Sequence, residues 1–308
     1  METNHCGRAK THRTGCRAPV ITVKAPAKLN LFLDITGRCE NGYHMMEMVM
    51  QTVDLYDIVT ISLADSGDST IICNGSDVPQ DKSNTALRAV SVFFEHTGIA
   101  NPGIHIHIEK NIPSQAGLGG ASSDAAAVFV GLDRLFGTGL TLDELCALGA
   151  RVGADVPFCI FGGTAHAEGI GEILTALPPL CEEQRFVIVK PDYGVSTVEA
   201  FAKFDSLLKK TSSFAIADML RAIAARDHAL IGKLLCNVFE QVVFPERTAA
   251  IKRTLLREGA LGAVMSGSGS SVFGLFSDIA AARRAAVELA DFGETFLVKP
   301  ISTGAYVG

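Results

Sequence analysis

Alternating apolar and polar positions predict that the first third of the chain is mostly β-structure. Residues 20–36 alternate in two runs, which Ala25-Pro26-Ala27 is predicted to break. After turn-rich residues, the same pattern predicts further strands over residues 45–53, 57–63 and 70–73. A half-exposed strand over residues 104–108 then leads the chain into a glycine-rich loop.

Helical spacing of apolar residues follows these strands and returns in the last third of the chain. It predicts helices over residues 84–96 and 122–136, the second beginning at Ser122 and Ser123. A capping box at Thr141 opens a short helix to Arg151, which residues 153–157 end. The later predicted elements are a strand over 186–189, helices over 197–208, 215–225, 230–239 and 247–258, and a β-β-α-β ending over 261–265, 271–276, 279–289 and 295–301.

Proline residues that break regular structure, together with local composition, predict the domain organisation. Pro178-Pro179 and the polar residues after it predict a boundary between an N-terminal domain over 19–180 and a C-terminal domain over 181–308. Residues 1–18 contain four basic residues and no apolar core, so we expect a disordered basic leader, with a short transit peptide as the alternative. The chain has 308 residues and 48% hydrophobic content, enough to bury a full core.

Charge and cysteine content exclude several classes of function. A net charge of −6 offers no basic field for nucleic acid, and the absence of a run of 18 apolar residues argues against a membrane span. The eight cysteines include no C-x-x-C pair, which indicates neither a zinc site nor a disulfide framework. We therefore expect a cytoplasmic protein that binds neither nucleic acid nor membranes. A monomer or weak homodimer is a separate expectation, which these features do not decide.

The glycine-rich loop before the second helix is the strongest candidate for chemistry. Gly117, Gly119 and Gly120 let the backbone approach a ligand, and the helix start that follows favours a bound phosphate. The sequence and spacing of the loop residues match neither the P-loop motif nor the dinucleotide-binding fingerprint. The loop is therefore a candidate nucleotide site of a less common kind, and the alternative is a plain loop before a buried Ala-rich helix.

Four separated motifs, taken in order, resemble the GHMP kinase superfamily. They are Ala25-Pro26-Ala27-Lys28-Leu29-Asn30-Leu31 with Gly42-Tyr43-His44; residues 113–126, which contain Gly117-Leu118-Gly119-Gly120 and Ser122-Ser123-Asp124; Gly153-Ala154-Asp155-Val156-Pro157; and Ser266-Gly267-Ser268-Gly269-Ser270-Ser271. The resemblance covers about residues 20–300. The first motif is most similar to the members that act on 4-diphosphocytidyl-2-C-methyl-D-erythritol.

The resemblance implies a two-domain α+β fold, with an N-terminal domain like ribosomal protein S5 and a ferredoxin-like C-terminal domain. It implies transfer of the ATP γ-phosphate, with Mg²⁺, to the 2-hydroxyl of that substrate, a step of the non-mevalonate isoprenoid pathway. Another small-molecule kinase of the homoserine or mevalonate type, or a silent nucleotide-binding relative, is the alternative. The presence of both Lys28 and Asp155 argues against a catalytically inactive relative.

The resemblance also assigns residues to roles. The catalytic candidates are Asp155 as general base and Lys28 as the cation that lowers the pKa of the acceptor hydroxyl, with a simple ion pair as the alternative. The ATP-binding candidates are Pro113, Gly117, Leu118, Gly119, Gly120, Ser122, Ser123, Asn84 and Lys110. Ser122 is also the candidate Mg²⁺ ligand, and Asp124 is interpreted as a cap or an outer-shell metal partner.

Some of these candidates have ordinary structural alternatives. Asn84 can be a helix cap and Lys110 a solvated lysine. The remaining candidates are expected to bind substrate: Asn30, Tyr43, His44, Phe201, Gly267, Ser268 and Gly269. Tyr43 and Phe201 are expected to stack on the cytosine, although Phe201 can equally pack in the core and residues 267–270 can be a plain hairpin turn.

Overall fold

A computed structural model describes residues 19–40, 42–64, 67–74, 79–207, 214–243 and 245–308. The predicted basic leader, residues 1–18, lies outside this part of the chain. The strands are β1 (Val20–Arg38), β2 (His44–Leu63), β3 (Thr70–Cys73), β4 (Ile104–Glu109), β5 (Thr164–Glu168), β6 (Ile173–Ala176), β7 (Arg185–Lys190), β8 (Cys236–Asn237), β9 (Gly262–Met265), β10 (Val272–Phe276), β11 (Glu294–Val298) and β12 (Tyr306–Val307).

Helices alternate with these strands in a mixed order. They are α1 (Thr85–Thr97), α2 (Gly120–Phe136), α3 (Leu142–Ala150), α4 (Val156–Phe161), α5 (Thr197–Asp205), α6 (Ile216–Ala224), α7 (His228–Leu234), α8 (Pro245–Arg257) and α9 (Ile279–Glu288), with short 3-10 helices at Val238–Gln241 and Ala290–Phe292. The predicted α+β class is confirmed. The predicted domain limits are untested and stay a prediction.

The strands form two sheets. The first has the order β12-β1-β2-β4-β3, with β5 beside β2, β6 beside β5 and β8 beside β1. The second is antiparallel, with the order β11-β7-β10-β9. Because β8 lies in the second half of the sequence but pairs with β1, it ties the later part of the chain to the first sheet.

The long hairpin of β1 and β2 corrects the predicted breaks at residues 25–27 and 54–56. Both strands continue through these points. Pro26 pairs with Tyr56 while Ala27 pairs with Val53, so two extra residues of β2 bulge opposite the proline. Proline has no N–H to donate to the ladder, and a bulge places it where the ladder is locally interrupted, so the strand continues.

Apolar faces of the helices and sheets form three hydrophobic clusters among the described residues. Phe93 of α1 and Phe129 of α2 are buried against Ile61 and Ile106 of the first sheet. Leu29 and Leu31 of β1 pack instead with side chains of the second sheet. Because side chains alternate across a strand, Lys28 and Asn30, the two neighbours of Leu29, face the other way. This alternation directs Lys28 and Asn30 into a cleft.

Most predicted helices are present, but three predictions differ from the structure. The second helix begins at Gly120 after Gly119 rather than at the serines, so Ser122 and Ser123 lie in its first turn. Residues 153–157, predicted to end a helix, also start the next one, because α4 begins at Val156 with a proline in its first turn. The predicted helix over 230–239 is divided into α7, β8 and a 3-10 helix, where the Asn237 side chain accepts from the Phe239 amide.

Candidate active site

A cleft of about 600 Å³ lies where β1, the glycine loop, α4, α5 and the β9–β10 connection meet. Most of the predicted site residues line it. They are Lys28, Asn30, Asn84, Lys110, Pro113, Gly117, Leu118, Gly119, Gly120, Ser122, Asp155, Phe201, Gly267, Ser268 and Gly269. Three predicted residues, Ser123, Tyr43 and His44, are not among the described residues that line the cleft.

Lys28 and Asp155 meet inside this cleft. The Lys28 Nζ atom is 3.4 Å from Asp155 Oδ2 and donates to Asn30 Oδ1 at 2.6 Å. The lysine side chain is 4% exposed, whereas that of Asp155 is 32% exposed. Asp155 precedes α4, and within the described structure its side chain makes no capping hydrogen bond. The carboxylate is therefore held beside a buried cation and is open to a ligand in the cleft.

The glycine loop packs directly against this pair. The Lys28 amide donates to the Leu118 carbonyl at 2.9 Å. Gly119 has φ +74°, and a Cβ added there would come within 2.8 Å of Lys28 Cγ. A side chain at this position would therefore strain the backbone and push into the lysine. The loop and the candidate catalytic lysine form one packed unit.

The connection between β9 and β10 closes the same unit from the second sheet. The Gly267 amide donates to Asn30 Oδ1 at 3.0 Å, and Ser266 Oγ donates to the Gly117 carbonyl at 2.9 Å. A Cβ at Gly117 would lie 2.0 Å from the Ser266 carbonyl oxygen. Residues 266–271 thus form the hairpin turn that was the structural alternative for this motif. The same turn also contacts the motif that contains Asn30 and the glycine loop.

The two serines of the first turn of α2 point in different directions. Ser123 is buried, and its hydroxyl donates to the Pro26 carbonyl at 2.6 Å. This hydroxyl joins α2 to β1, and Ser123 is not among the described residues that line the cleft, whereas both serines were expected to meet phosphate. Ser122 lines the cleft. The helix start beside it presents backbone amides, which attract a phosphate.

Lys110 is not a solvated lysine. It is held by two carboxylates, with Nζ donating to Asp57 and, at 2.7 Å, to Asp124 Oδ2. Burial works to lower the pKa of Lys110, but the charges of Asp124 and Asp57 outweigh burial and raise it. Asp124 is therefore a lysine partner rather than a helix cap.

Asp57 was missed by the sequence analysis. It is fully buried beside Lys110, and its Oδ1 accepts from the amides of Asn111 and Ile112 at 2.6 and 2.8 Å. Asp57 thus holds both the Lys110 side chain and the backbone that enters the glycine loop. A charged residue inside a β-pattern between apolar neighbours was the signal available, but spacing alone does not reveal its distant partners.

Burial is the largest cause that raises the pKa of Asp124, and repulsion from Asp57 adds to it. Together they bring that pKa to about 7, against the opposing attraction of Lys110. The second oxygen of Asp124, Oδ1, is buried and has no hydrogen-bond partner among the described residues. Two buried carboxylates thus share the single lysine side chain of Lys110.

Asn84 is the N-cap of α1, as its structural alternative predicted. Its Oδ1 accepts from the Ala86 amide at 2.8 Å and its Nδ2 donates to the Pro79 carbonyl at 2.6 Å. The residue also lines the cleft. Its capping role is confirmed, and its contact with a nucleotide stays a prediction.

The aromatic candidates form a different pair from the expected one. The ring of His44 stacks on Phe201, with centroids 4.6 Å apart, and His44 Nε2 is 2.9 Å from Asp205 Oδ1. Phe201 also packs edge-on against Phe239 and lines the cleft, so it serves both the core and the site surface. Tyr43 lies at the surface and is 60% exposed. The structure therefore brings His44, not Tyr43, against Phe201.

The described part of the chain contains neither a clustered metal-ligand group nor a helix able to cross a membrane. No group of three or more His, Cys, Asp or Glu residues there is arranged to hold a metal ion. None of the helices in the same ranges has the length and apolar content that a membrane crossing requires.

Comparison with known proteins decides the family. Residues 84–163 match the profile of the GHMP kinases N terminal domain, and residues 219–295 match that of the GHMP kinases C terminal domain. The chain belongs to the GHMP kinase family. Both matched regions contribute residues to the cleft, since the glycine loop lies in the first and Gly267 in the second.

Relatives within the GHMP kinases share most of their length with this chain. The 4-diphosphocytidyl-2-C-methyl-D-erythritol kinase of Clostridium tetani is 45% identical over 258 residues, 82% of this chain and 90% of the relative. The enzyme of the same name from Lachnoclostridium phytofermentans is 42% identical over 285 residues, 91% of this chain and 97% of the relative. The predicted resemblance to these kinases is confirmed.

Solved structures agree with this assignment. A crystal structure of 4-(cytidine 5'-diphospho)-2C-methyl-D-erythritol kinase superposes with a TM-score of 0.72 at 32% identity, covering 91% of this chain and 99% of that one. Homoserine kinase from Cytophaga hutchinsonii gives a TM-score of 0.77 at 20% identity, covering 97% and 100%. At that identity the second match shows the GHMP fold alone.

Proposed function

We propose that this GHMP kinase transfers the γ-phosphate of ATP to the 2-hydroxyl of 4-diphosphocytidyl-2-C-methyl-D-erythritol. The observation that carries the proposal is the Lys28–Asp155 pair, 3.4 Å apart in a cleft bordered by the glycine loop. The sequence relatives of that name support the choice of substrate. The reaction is one step of the non-mevalonate route to isoprenoid precursors.

Asp155 acts as the general base in this proposal, and Lys28 assists it. Asp155 accepts the proton of the acceptor hydroxyl as the oxygen attacks the γ-phosphorus, and ADP leaves. Lys28 is buried and positively charged, so it stabilises negative charge that develops on that oxygen. Asn30 fixes the lysine through its 2.6 Å hydrogen bond.

The phosphates of ATP bind at the start of α2. Backbone amides of the glycine loop and of the first turn meet the phosphate oxygens, and the helix dipole favours their charge. Gly267 to Gly269 supply a second set of amides from the opposite side of the cleft. Asn84 and Lys110 border the nucleotide end.

Mg²⁺ accompanies ATP in the proposal, and the residues at the start of α2 fit it. Ser122 lines the cleft, and Asp124 Oδ1, which has no hydrogen-bond partner among the described residues, lies two residues further along the same turn. Mg²⁺ is commonly held by one or two protein oxygens together with substrate phosphates and waters. When bound, the ion neutralises phosphate charge.

The substrate cytidine lies at the α5 side of the cleft. Phe201 lines the cleft, His44 at the start of β2 stacks on its ring, and Tyr43 precedes His44. The stacking of a base on an aromatic ring contributes roughly 1–3 kcal/mol. We also propose that the protein is a cytoplasmic monomer or weak homodimer whose partner is this small substrate rather than nucleic acid or membrane.

A substrate panel tests the proposed function. The purified protein is incubated with Mg²⁺-ATP and, separately, with 4-diphosphocytidyl-2-C-methyl-D-erythritol, mevalonate, homoserine or galactose. ³¹P NMR then identifies the product and the position of the new phosphate. We expect a 2-phosphomonoester from the cytidine substrate alone. Phosphorylation of homoserine or mevalonate in preference to it would overturn the proposal, as would ATP binding without transfer to any acceptor.

A further inference from the structure

Asn237 is a buried polar residue that belongs to none of the four motifs. It ends β8, and its side chain makes three hydrogen bonds to the backbone. Nδ2 donates to the carbonyl oxygens of Met265 at 2.7 Å and Gly267 at 2.8 Å, while Oδ1 accepts from the Phe239 amide at 2.9 Å. A buried amide satisfied in this way rigidly fixes the groups that it joins.

These bonds hold the Gly267 peptide from one side, and Asn30 holds it from the other. The Gly267 carbonyl accepts from Asn237, and its amide donates to Asn30 Oδ1 at 3.0 Å. The same Asn30 oxygen accepts from Lys28 Nζ at 2.6 Å. A chain of direct hydrogen bonds therefore runs from Asn237 through Gly267 and Asn30 to the candidate catalytic lysine.

The strand that carries Asn237 is itself fixed to the strand that carries Lys28. β8 pairs with β1 in parallel, with Asn237 opposite Leu33, three residues beyond Asn30. Glu240 adds a further restraint, since its Oε1 accepts from the Met265 amide at 2.9 Å. The end of β9 is thus held on both its amide and its carbonyl by residues 237–240, just before the connection that borders the cleft.

We propose that Asn237 is a positioning residue for phosphoryl transfer, which holds residues 266–269 against Asn30 at the place where the γ-phosphate and the acceptor meet. This inference rests on the proposed function. Phosphoryl transfer depends on alignment, and a displacement of about 1 Å costs roughly 10²-fold in rate. Loss of the two Nδ2 bonds frees the Gly267 carbonyl and lets this segment move.

Two substitutions separate these bonds from the rest of the fold. Asn237→Asp keeps an oxygen for the Phe239 amide but removes both donors, and it places a carboxylate against two carbonyls. Asn237→Ser brings no charge, and its shorter hydroxyl still reaches the amide two residues ahead while it cannot bridge Met265 and Gly267. Asp278→Ala is the matched control, because it removes a similar 2.8 Å bond to the Ala280 amide at the start of α9, outside the cleft.

The variants are compared with the wild type well below their melting temperatures, per mole of folded protein. The measurements are kcat, KM for each substrate, the Kd of a non-hydrolysable ATP analogue, and hydrogen exchange in peptides that cover residues 262–272. We expect Asn237→Ser to lower kcat about 10- to 100-fold, to change the Kd of the analogue less than threefold, and to speed exchange in that segment. Asn237→Asp, if folded, should do the same, and Asp278→Ala should match the wild type.

A folded Asn237→Ser protein with wild-type kcat overturns the inference, whatever its melting temperature. So does a loss of activity that only follows a global rise in hydrogen exchange, because that pattern marks a purely structural residue. If the wild type itself fails to phosphorylate the cytidine substrate, the proposed function fails instead. The wild-type assay therefore distinguishes the two failures.

Discussion

Lys28 Nζ lies 3.4 Å from Asp155 Oδ2 although the two residues come from different elements, the middle of β1 and the residue before α4. The lysine is buried, and the carboxylate is partly exposed in the cleft. This asymmetry fits a cation that stays in place and a base that meets substrate. A simple surface ion pair shows no such division between a buried and an open partner.

Removal of the lysine charge tests the first half of this pair. Lys28→Met keeps much of the side-chain length and the packing under Gly119 but loses the cation, so we expect kcat to fall about 10²-fold or more. Lys24→Met on the same strand, outside the cleft, is the matched control and should retain activity. Steady-state kinetics with both substrates provide the measurement. Equal kcat values for the two variants would remove Lys28 from the mechanism.

The close approach of Gly119 to Lys28 leads to a second prediction. Gly119→Val should raise the KM for ATP strongly, because the new side chain clashes with the lysine and strains a backbone at φ +74°. Gly139→Val separates these causes, since Gly139 also has positive φ, at +68°, but nothing within 4 Å of the added Cβ. ATP titration of both variants is decisive, and undiminished ATP affinity in Gly119→Val would make the loop a structural turn.

Substrate binding should depend on the aromatic residues at the α5 side of the cleft. Phe201→Ala and Tyr43→Ala are each expected to weaken binding of the cytidine substrate about 10- to 100-fold while ATP affinity stays the same. Isothermal titration measures both ligands, and ATP is the internal control. Val198→Ala, on the same helix as Phe201 and exposed, should bind normally.

Each ring variant must first be shown to melt normally, because Phe201 also packs on Phe239. A stable Phe201→Ala protein with unchanged affinity would assign that ring to the core. Normal binding by Tyr43→Ala would remove Tyr43 from the proposed cytidine site and leave Phe201, with His44 stacked on it, as the ring that meets the base.

The paired carboxylates around Lys110 predict a pH dependence of stability. The pKa of Asp124 is raised in the folded protein to about 7, from an ordinary value of 3.8, chiefly by burial. A raised carboxyl pKa means that the folded state holds the proton more tightly. Its contribution is therefore fully present below about pH 4 and is lost as the pH rises through about 7.

Asp124→Asn removes this titration and keeps the shape of the side chain. The free energy of unfolding of the wild type, relative to Asp124→Asn, should fall by about a few kcal/mol between pH 4 and pH 8. Denaturant unfolding at a series of pH values measures it. A difference that is flat over this range, or that grows with pH, would contradict the assigned titration.

Much of the fold follows from local patterns. The helical spacing around Phe93 and the alternation from Ile104 to Ile108 predict elements that the structure contains, as does the capping box at Thr141. The break predicted at Pro26 was wrong because the partner strand absorbs the proline with a bulge. That compensation depends on residues some 30 positions away, which local periodicity does not report.

The candidate site was predicted mainly through its motifs, and the distant hydrogen bonds between them were not. Ser123 was expected to meet phosphate, yet its hydroxyl is directed to Pro26, 97 residues away in sequence. Lys110 was left open as a solvated residue, whereas Asp57 and Asp124 bury it. Such pairings arise from the packing of separate elements, and no spacing rule along the chain encodes them.

The measurement that tests the central claim most directly is the single-turnover rate of phosphoryl transfer by Asp155→Asn. Rapid quench with excess enzyme, Mg²⁺-ATP and 4-diphosphocytidyl-2-C-methyl-D-erythritol isolates the chemical step, and Asp227→Asn, which also precedes a helix, is the control. We predict that Asp155→Asn slows transfer by about 10²–10⁴-fold with normal ATP binding and normal melting, whereas Asp227→Asn retains the wild-type rate. An unchanged single-turnover rate in Asp155→Asn would contradict the account.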